Sequence, residues 1–329
     1  MNGESSLVEY KIHDYKFEWK GNFARARELV KLCMDDLGFV EGDNGFHIYN
    51  HTHYLKVPHK NSLFVKPTAP TSNHFAIDNR GYANTSLMAF HEPVEYEYAY
   101  SFLNPTANMK WNNITNLIER KSNKWDDSIL LKWREPKGDI PEDHILVIGQ
   151  MPDDETVNGF GFAGHMERID HIVETLHNYN LGWRGSSVMV GPIVVKLHPR
   201  LKSKKYKKVI AKWKDAGVHV VQGYESIHDY LPHTRVAIID NSTAGIECLM
   251  HEVPVISYGW PEYHWVTKKL QVLPQLVSLI EGLDIWYTPH FKENARKFIY
   301  WYIHDYLCYD ELSTWNRLND LTKWLQKES

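Results

Sequence analysis

The sequence predicts an α/β fold built on a parallel sheet with helices on both faces. Three observations predict it. First, short apolar runs rich in Val and Ile recur between residues 144 and 260: "HILVIGQ" (144–150), "PIVVKLH" (192–198), "VHVVQG" (218–223), "RVAIID" (235–240) and "VPVISYG" (253–259). Second, helical patterns lie between these runs, over 165–179, 202–215, 226–231 and 242–251. Strands that are apolar on both sides and joined by helices belong to parallel sheets covered on both faces. Third, the 329 residues suffice for about two domains.

The remaining segments are justified in turn. "FARARELVKLCMDDLGF" (23–39) has the apolar spacing of a helix, although most of 1–140 reads irregularly. "SLFVKPTAPTSNHFAIDNRGYANTSL" (62–87) mixes short apolar runs with Pro, Asn, Asp and Gly, the composition of strands and loops. "NITNLIERKSNKW" (113–125) predicts a helix. "REPKGDIPED" (134–143) is polar, holds two prolines and reads as a linker. Beyond 275 the chain is helical by pattern, with amphipathic stretches at 294–307 and 313–327. The domain expectation is therefore 1–138, 139–275, and a C-terminal helical segment 276–329.

Composition removes several function classes. Hydrophobic residues make up 43% and charged residues 24%, an ordinary globular balance. Net charge is -4, so no global positive field favours nucleic acid; the basic stretch "RLKSKKYKK" (200–208) reads as a solvated face. Three cysteines with no CxxC spacing point to a reducing compartment, and the N-terminus carries no apolar signal segment. No window approaches the ~18 apolar residues of a membrane span. The expected location is cytoplasmic, with peripheral contact at the inner membrane face as an added expectation. The aromatic stretch "KFIYWYIHDYLCY" (297–309) leaves two readings, membrane contact or core. The 19 histidines form no zinc pattern, and His165, His171 and His177 are expected to face solvent or core.

In a parallel sheet, ligands bind beyond the carboxyl ends of the strands. There the sequence turns polar. "DNSTAGIECLMHE" (240–252) offers the Asp, Asn, Ser and Thr that start helices. A helix beginning near Ser242 would turn backbone N–H groups and a positive dipole end outward, a ready anion site. Gly245 would let a ligand approach the first turn, and Glu247 could reach a ribose hydroxyl pair. After the second run, His198 can donate to a phosphate, Pro199 fixes the backbone, and Arg200 can pair with a phosphate or carboxylate. After the first run, Asp153, Asp154 and Glu155 are adjacent acids. A carboxylate there could be a nucleophile, a general base, or a ligand to a metal ion bridging to phosphate. Gly159, Gly161 and Gly164 suggest a loop that bends near a ligand.

Taken in order, "QMPDD" (Gln150 to Asp154), "KLHP" (196–199), "STAGIECL" (242–249) and "PVISYGWPEYHWVTKKL" (254–270) resemble the capsule polysaccharide biosynthesis family. The family's last motif reads G-x-P-x-Y-x-x-W-G-L-T. Gly259, Pro261, Tyr263 and Thr267 fit it loosely, and the W-G-L-T portion is altered to "HWVTKKL". In the N-terminal half, "PTSNHFAIDNRGYANTSL" (70–87) has the order of features of P-x-S-x-x-x-D-x-x-G followed by aromatics and a serine. The D-G-F motif that usually precedes it appears only as "NSLFVKP".

The best-understood members are retaining β-Kdo transferases of the GT-B type. The resemblance therefore implies two Rossmann-like domains facing across a cleft: 1–138 on the acceptor side and 139–275 binding the nucleotide sugar. The helices of 276–329 would pack back to close the unit. It implies a CMP-activated sugar acid as donor substrate, a glycan or glycolipid acceptor, no cofactor and no metal. Asp154, with Gln150 beside it, would be catalytic, the Asp154 carboxylate attacking the anomeric carbon. His198 and Pro199 would hold the CMP phosphate or ribose. Ser242, Thr243 and Gly245 would supply donors to the phosphate, and Glu247 would face the ribose or cytosine. Lys196 and Arg200 would be further contacts to the donor's anionic groups. Two alternatives stand beside this: a GT-B transferase using CMP-sialic acid or a UDP-sugar, and a catalytically inactive glycan-binding relative.

Overall fold

The structure is a computed structural model that describes residues 8–13, 22–50, 61–67, 73–79, 88, 92–93, 105–122, 134–154, 157, 164–182 and 189–328. Glu155, Gly159 and Gly161 lie outside the described residues, as do Pro70, Ser72 and 80–87 of the N-terminal motif.

The C-terminal sheet forms where the apolar runs predict it. Its strands are β6 (His144–Ile148), β7 (Ile193–Lys196), β8 (His219–Val221), β9 (Thr234–Ile239), β10 (Val255–Ser257) and β11 (Lys268–Lys269). They lie in the order β11-β10-β9-β6-β7-β8, every pair parallel. Alternate residues of each strand enter different cores, as the pleat requires. Ile145, Val147, Val195, Ile238 and Ile256 pack against Ile169, Ile172, Trp213 and Ile280 on one face. Leu146, Ile148, Val194, Ile239 and Val255 pack against Ile246, Leu249, Phe298 and Ile299 on the other. Both faces are buried, and this is why the runs are continuously apolar.

The N-terminal half builds a second sheet. It holds β1 (Glu9–Ile12), β2 (Val40–Glu41), β3 (Phe46–Asn50), β4 (Ser62–Pro67) and β5 (Phe75–Asp78), ordered β2-β1-β3-β4-β5. All pairs are parallel except β4 with β5, which is antiparallel and at the edge. Helix α1 (Asn22–Asp36) covers it through Ala26, Val30, Cys33 and Met34.

The helices interlock the two halves. α2 (Pro105–Glu119) begins eight residues before the predicted 113–125 and ends at Glu119; Ile114 sits in the core of the C-terminal sheet. α3 (His165–Asn180), α4 (Lys207–Asp215), α5 (Ile227–Tyr230) and α6 (Ala244–Met250) are the crossover helices between strands. After α7 (Leu276–Glu281) and α8 (Leu283–Trp286) comes α9 (Pro289–Trp301). It starts before the predicted 294 because Thr288 accepts a capping hydrogen bond from Phe291 N (3.2 Å) and Pro289 takes the first position. α9 packs on the C-terminal sheet, whereas α10 (Glu311–Glu328) returns to the N-terminal one through Leu318, Leu321 and Leu325. At the end of α9 and in the segment that follows it, Phe298, Tyr300, Tyr302, Tyr306 and Cys308 are all buried. Of the two readings of 297–309, the structure gives core.

At the seam between the halves lies a buried ion pair. Lys66 Nζ on β4 is 2.5 Å from Glu262 Oε2, with both side chains buried, and Tyr302 donates to Glu262 Oε1 (2.8 Å). Burial alone would pull the Lys66 pKa down; the Glu262 carboxylate more than reverses this, so the group sits above its ordinary value. Removing one partner of a buried pair leaves the other charge uncompensated. Lys66→Met is therefore expected to lower the unfolding free energy by about 3–5 kcal/mol, read by chemical denaturation. A loss well under about 1 kcal/mol would mean the pair does not hold the seam.

Candidate active site

The carboxyl ends of β7, β6, β9 and β10 lie side by side along one edge of the sheet. Ile148 pairs with Lys196 on one side and Ile239 on the other, so the turn after β6 emerges between the two. That turn carries Asp154, half-buried, with Asp154 N donating to Met151 O and Val157 N donating to Asp154 O, both at 3.0 Å. The adjacent Asp153 is exposed.

Two residues at the start of α3 pin this turn, and the sequence gives no sign of them beyond their spacing. His165 and Arg168 stand three apart, hence on one helix face. His165 Nε2 accepts from Gln150 N (2.8 Å). Arg168 Nη2 donates to Val157 O (2.9 Å) and to Asp240 Oδ2 (2.6 Å) at the end of β9. His165 was expected to face solvent or core, and it is buried, with Nδ1 3.4 Å from the same Asp240 oxygen. Gln150 is buried too, and its Oε1 accepts from Asn241 N (2.7 Å). Its side chain thus ties the ends of β6 and β9 together, which makes it a positioning residue rather than a group aimed at a reactant.

Beyond β7, His198 Nδ1 accepts from Arg200 N (3.2 Å) and His198 O from Leu201 N (2.9 Å), which closes a turn. In the neutral ring the proton then sits on Nε2, the nitrogen that can donate to an anion. His198 and Pro199 line a cavity of about 230 Å³ with Leu197, Leu201, Gln222 and Gly223. Arg200 is exposed. Lys196 is buried and donates to Glu225 O (2.7 Å). Burial pulls its pKa down to about 8 against the opposing pull of Glu225 and Glu247. It lies beneath the site with its charge set against those carboxylates, so the expected direct contact to the donor is not its geometry here.

Beyond β9, the helix starts at Ala244, and Ser242 Oγ accepts from Ala244 N (3.2 Å). Thr243 is buried at the N-cap position without a side-chain capping bond. Gly245 differs from expectation. A Cβ there would overlap the Tyr263 phenol ring, whose hydroxyl donates to Ser242 O. The glycine makes room for Tyr263 from the family motif, not for a ligand. Glu247 is buried, with Oε1 3.8 Å from His228 Nε2. His228 Nε2 lies 2.8 Å from Ser122 O, to which it donates, and its Nδ1 lies 2.9 Å from His251 Nε2. Burial lowers the pKa of both histidines, that of His251 to about 4, so the pair is neutral near pH 7.

The edge therefore brings together a carboxylate turn, an imidazole donor and a helix start. Among the described residues no group of three or more His, Cys, Asp or Glu is arranged to hold a metal ion, and no helix is long and apolar enough to cross a membrane.

Known proteins can now be set beside this geometry. The family model for the capsule polysaccharide biosynthesis protein matches residues 66–268, more than half of the chain. No curated protein sequence matches. Among solved structures, the Thermosulfurimonas dismutans KpsC β Kdo 2,4 transferase is 15% identical, with a TM-score of 0.50 over 82% of this chain and 85% of that one. The β Kdo 2,7 transferase of KpsC from the same organism is 16% identical, with a TM-score of 0.44 over 82% and 84%. At such identity the likeness concerns the fold, two Rossmann-like domains in the GT-B arrangement. With its motifs lying inside the matched span, the chain belongs to the capsule polysaccharide biosynthesis protein family.

Proposed function

We propose that the chain is a retaining glycosyltransferase that moves a Kdo-like sugar acid from a CMP-activated donor to a glycan or glycolipid acceptor. One observation carries this reading. The Asp154 turn emerges between His198-Pro199 on one side and Ser242–Gly245 on the other, at a single sheet edge. Family membership and the KpsC likeness support the donor class.

In this reading the CMP phosphate lies between His198 Nε2–H and the hydroxyls of Ser242 and Thr243 at the start of α6, and Glu247 accepts hydrogen bonds from the ribose hydroxyls. The Asp154 carboxylate attacks the anomeric carbon while the bond to the phosphate oxygen breaks, and CMP departs with the electron pair. Donors aimed at the phosphate stabilise the charge that develops there. The acceptor hydroxyl then attacks the anomeric carbon of the glycosyl–Asp154 ester from the opposite face and gives its proton to the phosphate of the departing CMP, and the carboxylate is regenerated. Two inversions give net retention. The nucleotide is held through hydroxyl donors and an imidazole, and the reading invokes no metal in this step.

His198→Ala is expected to weaken CMP binding about tenfold, the loss of one hydrogen bond to a charged group. Calorimetric titration of wild type and variant with CMP and UDP tests it. Binding of CMP over UDP, weakened in the variant, is the expected result. Equal affinities in wild type and variant would move the nucleotide elsewhere, and preference for UDP would change the donor class.

A further inference from the structure

The segment that departs from the family motif, 259–270, gives the site edge an aromatic surface. Trp260 follows Gly259 at the carboxyl end of β10, two strands from the turn that carries Asp154. Its neighbour Gly259 is pressed against the β9 end so closely that a Cβ would overlap Asp240 and Asn241. Trp260 is nonetheless 45% exposed. Leaving so much of an indole in water forgoes burial that a core position would gain.

The ring is held in place rather than left loose. Lys269 Nζ lies 4.6 Å from the centre of the ring and donates to Gly259 O. His264 meets Trp260 edge-to-face, with centroids 4.9 Å apart at 74°. His264 in turn packs on Trp265 (4.1 Å), whose Nε1 donates to Met88 O (2.7 Å). Met88 belongs to the N-terminal half. The clamp is therefore tied to the N-terminal half through Met88 O. An ammonium and an imidazole fix one side and the edge of the indole and leave it substantial exposed area.

We propose that Trp260 is a stacking platform for a sugar ring entering the transfer site, oriented by Lys269 and His264. A flat, rigid aromatic surface matches the C–H face of a pyranose, which buries apolar area while its hydroxyls stay in water. Position 260 is an unspecified residue of the family motif, so the platform would be a feature of this chain. The inference deepens the transferase reading and rests on it.

The test uses the full chain and two probes, the methyl glycosides of Kdo and of galactose, read by saturation-transfer NMR and titration. CMP titration of the same samples runs beside it. Trp260→Ala is expected to lose about tenfold in affinity for whichever glycoside the wild type binds, with Trp260→Phe recovering part of the loss and CMP affinity unchanged in both. Repeating the titration with CMP-Kdo present assigns the source of the sugar. A glycoside that still binds marks an acceptor subsite, and one that is displaced marks the donor sugar's place; both outcomes support the platform. Trp260→Ala binding the glycosides as wild type does, or wild type binding CMP but neither glycoside, overturns it. Failure of wild type to bind CMP would instead count against the transferase reading itself.

Discussion

Asp154→Asn is expected to abolish glycosyl transfer, by about four orders of magnitude or more, while CMP affinity changes by less than about twofold. The substitution is nearly isosteric. The turn is held by backbone bonds, Asp154 N to Met151 O and Val157 N to Asp154 O, which asparagine keeps. What is lost is the anionic oxygen that forms the glycosyl ester. Retention by double displacement cannot proceed without that bond. Release of CMP from CMP-Kdo, followed by chromatography, reads the rate, and calorimetry reads the affinity. Turnover close to wild type would remove Asp154 as the nucleophile, and a matching loss of CMP binding would mean the turn contacts the nucleotide instead.

Arg168→Met should be the second large effect, and it should split. Arg168 Nη2 serves the Asp154 turn through Val157 O and the buried Asp240 carboxylate at once. Its removal leaves Asp240 without its cation partner, which is expected to lower stability by about 3 kcal/mol. It also releases the carbonyl that follows Asp154 by one turn, so kcat should fall at least about tenfold, with a smaller change in the donor KM. Arg168→Lys separates the two roles. The charge is kept but not the forked, planar donor, so stability should recover more than kcat does. A purely structural role would restore both together. Chemical denaturation and steady-state kinetics on the three proteins provide the readouts.

The fold and the site were unequally legible. In 144–260 the strands showed because both faces are buried: Ile145 and Leu146 enter different cores, and nothing polar interrupts the run. The N-terminal sheet showed only in part: 62–87 reads as strands and loops and holds β4 and β5, whereas β1, β2 and β3 did not show because they are short and mixed. "EYKI" and "FHIYN" carry Glu, Lys, His and Asn, so no apolar run or clean alternation survives in them. Helix α10 was visible by period, but its place on the N-terminal sheet was not, since nothing local specifies a partner 240 residues away, as between Arg317 and Ile77 O (3.2 Å). At the sheet edge, His198 and Ser242 stood out because polar residues directly after buried strands have few structural reasons to be there, and the structure puts both beyond the carboxyl ends of strands. His165 and Arg168 were hidden because polar residues three apart on a helix are ordinarily solvated, and only the fold reveals that this face is turned toward Asp240. Gly245 was legible as a close approach, but the approaching group is Tyr263, eighteen residues further on.

The most direct test of the central claim is a crystal structure of the protein soaked with CMP. The account predicts the phosphate between His198 Nε2 and the Ser242 and Thr243 hydroxyls at the start of α6, the ribose against Glu247, and the Asp154 carboxylate facing the open side of the phosphate. A nucleotide bound away from that sheet edge, or one with Asp154 turned from it, would contradict the account.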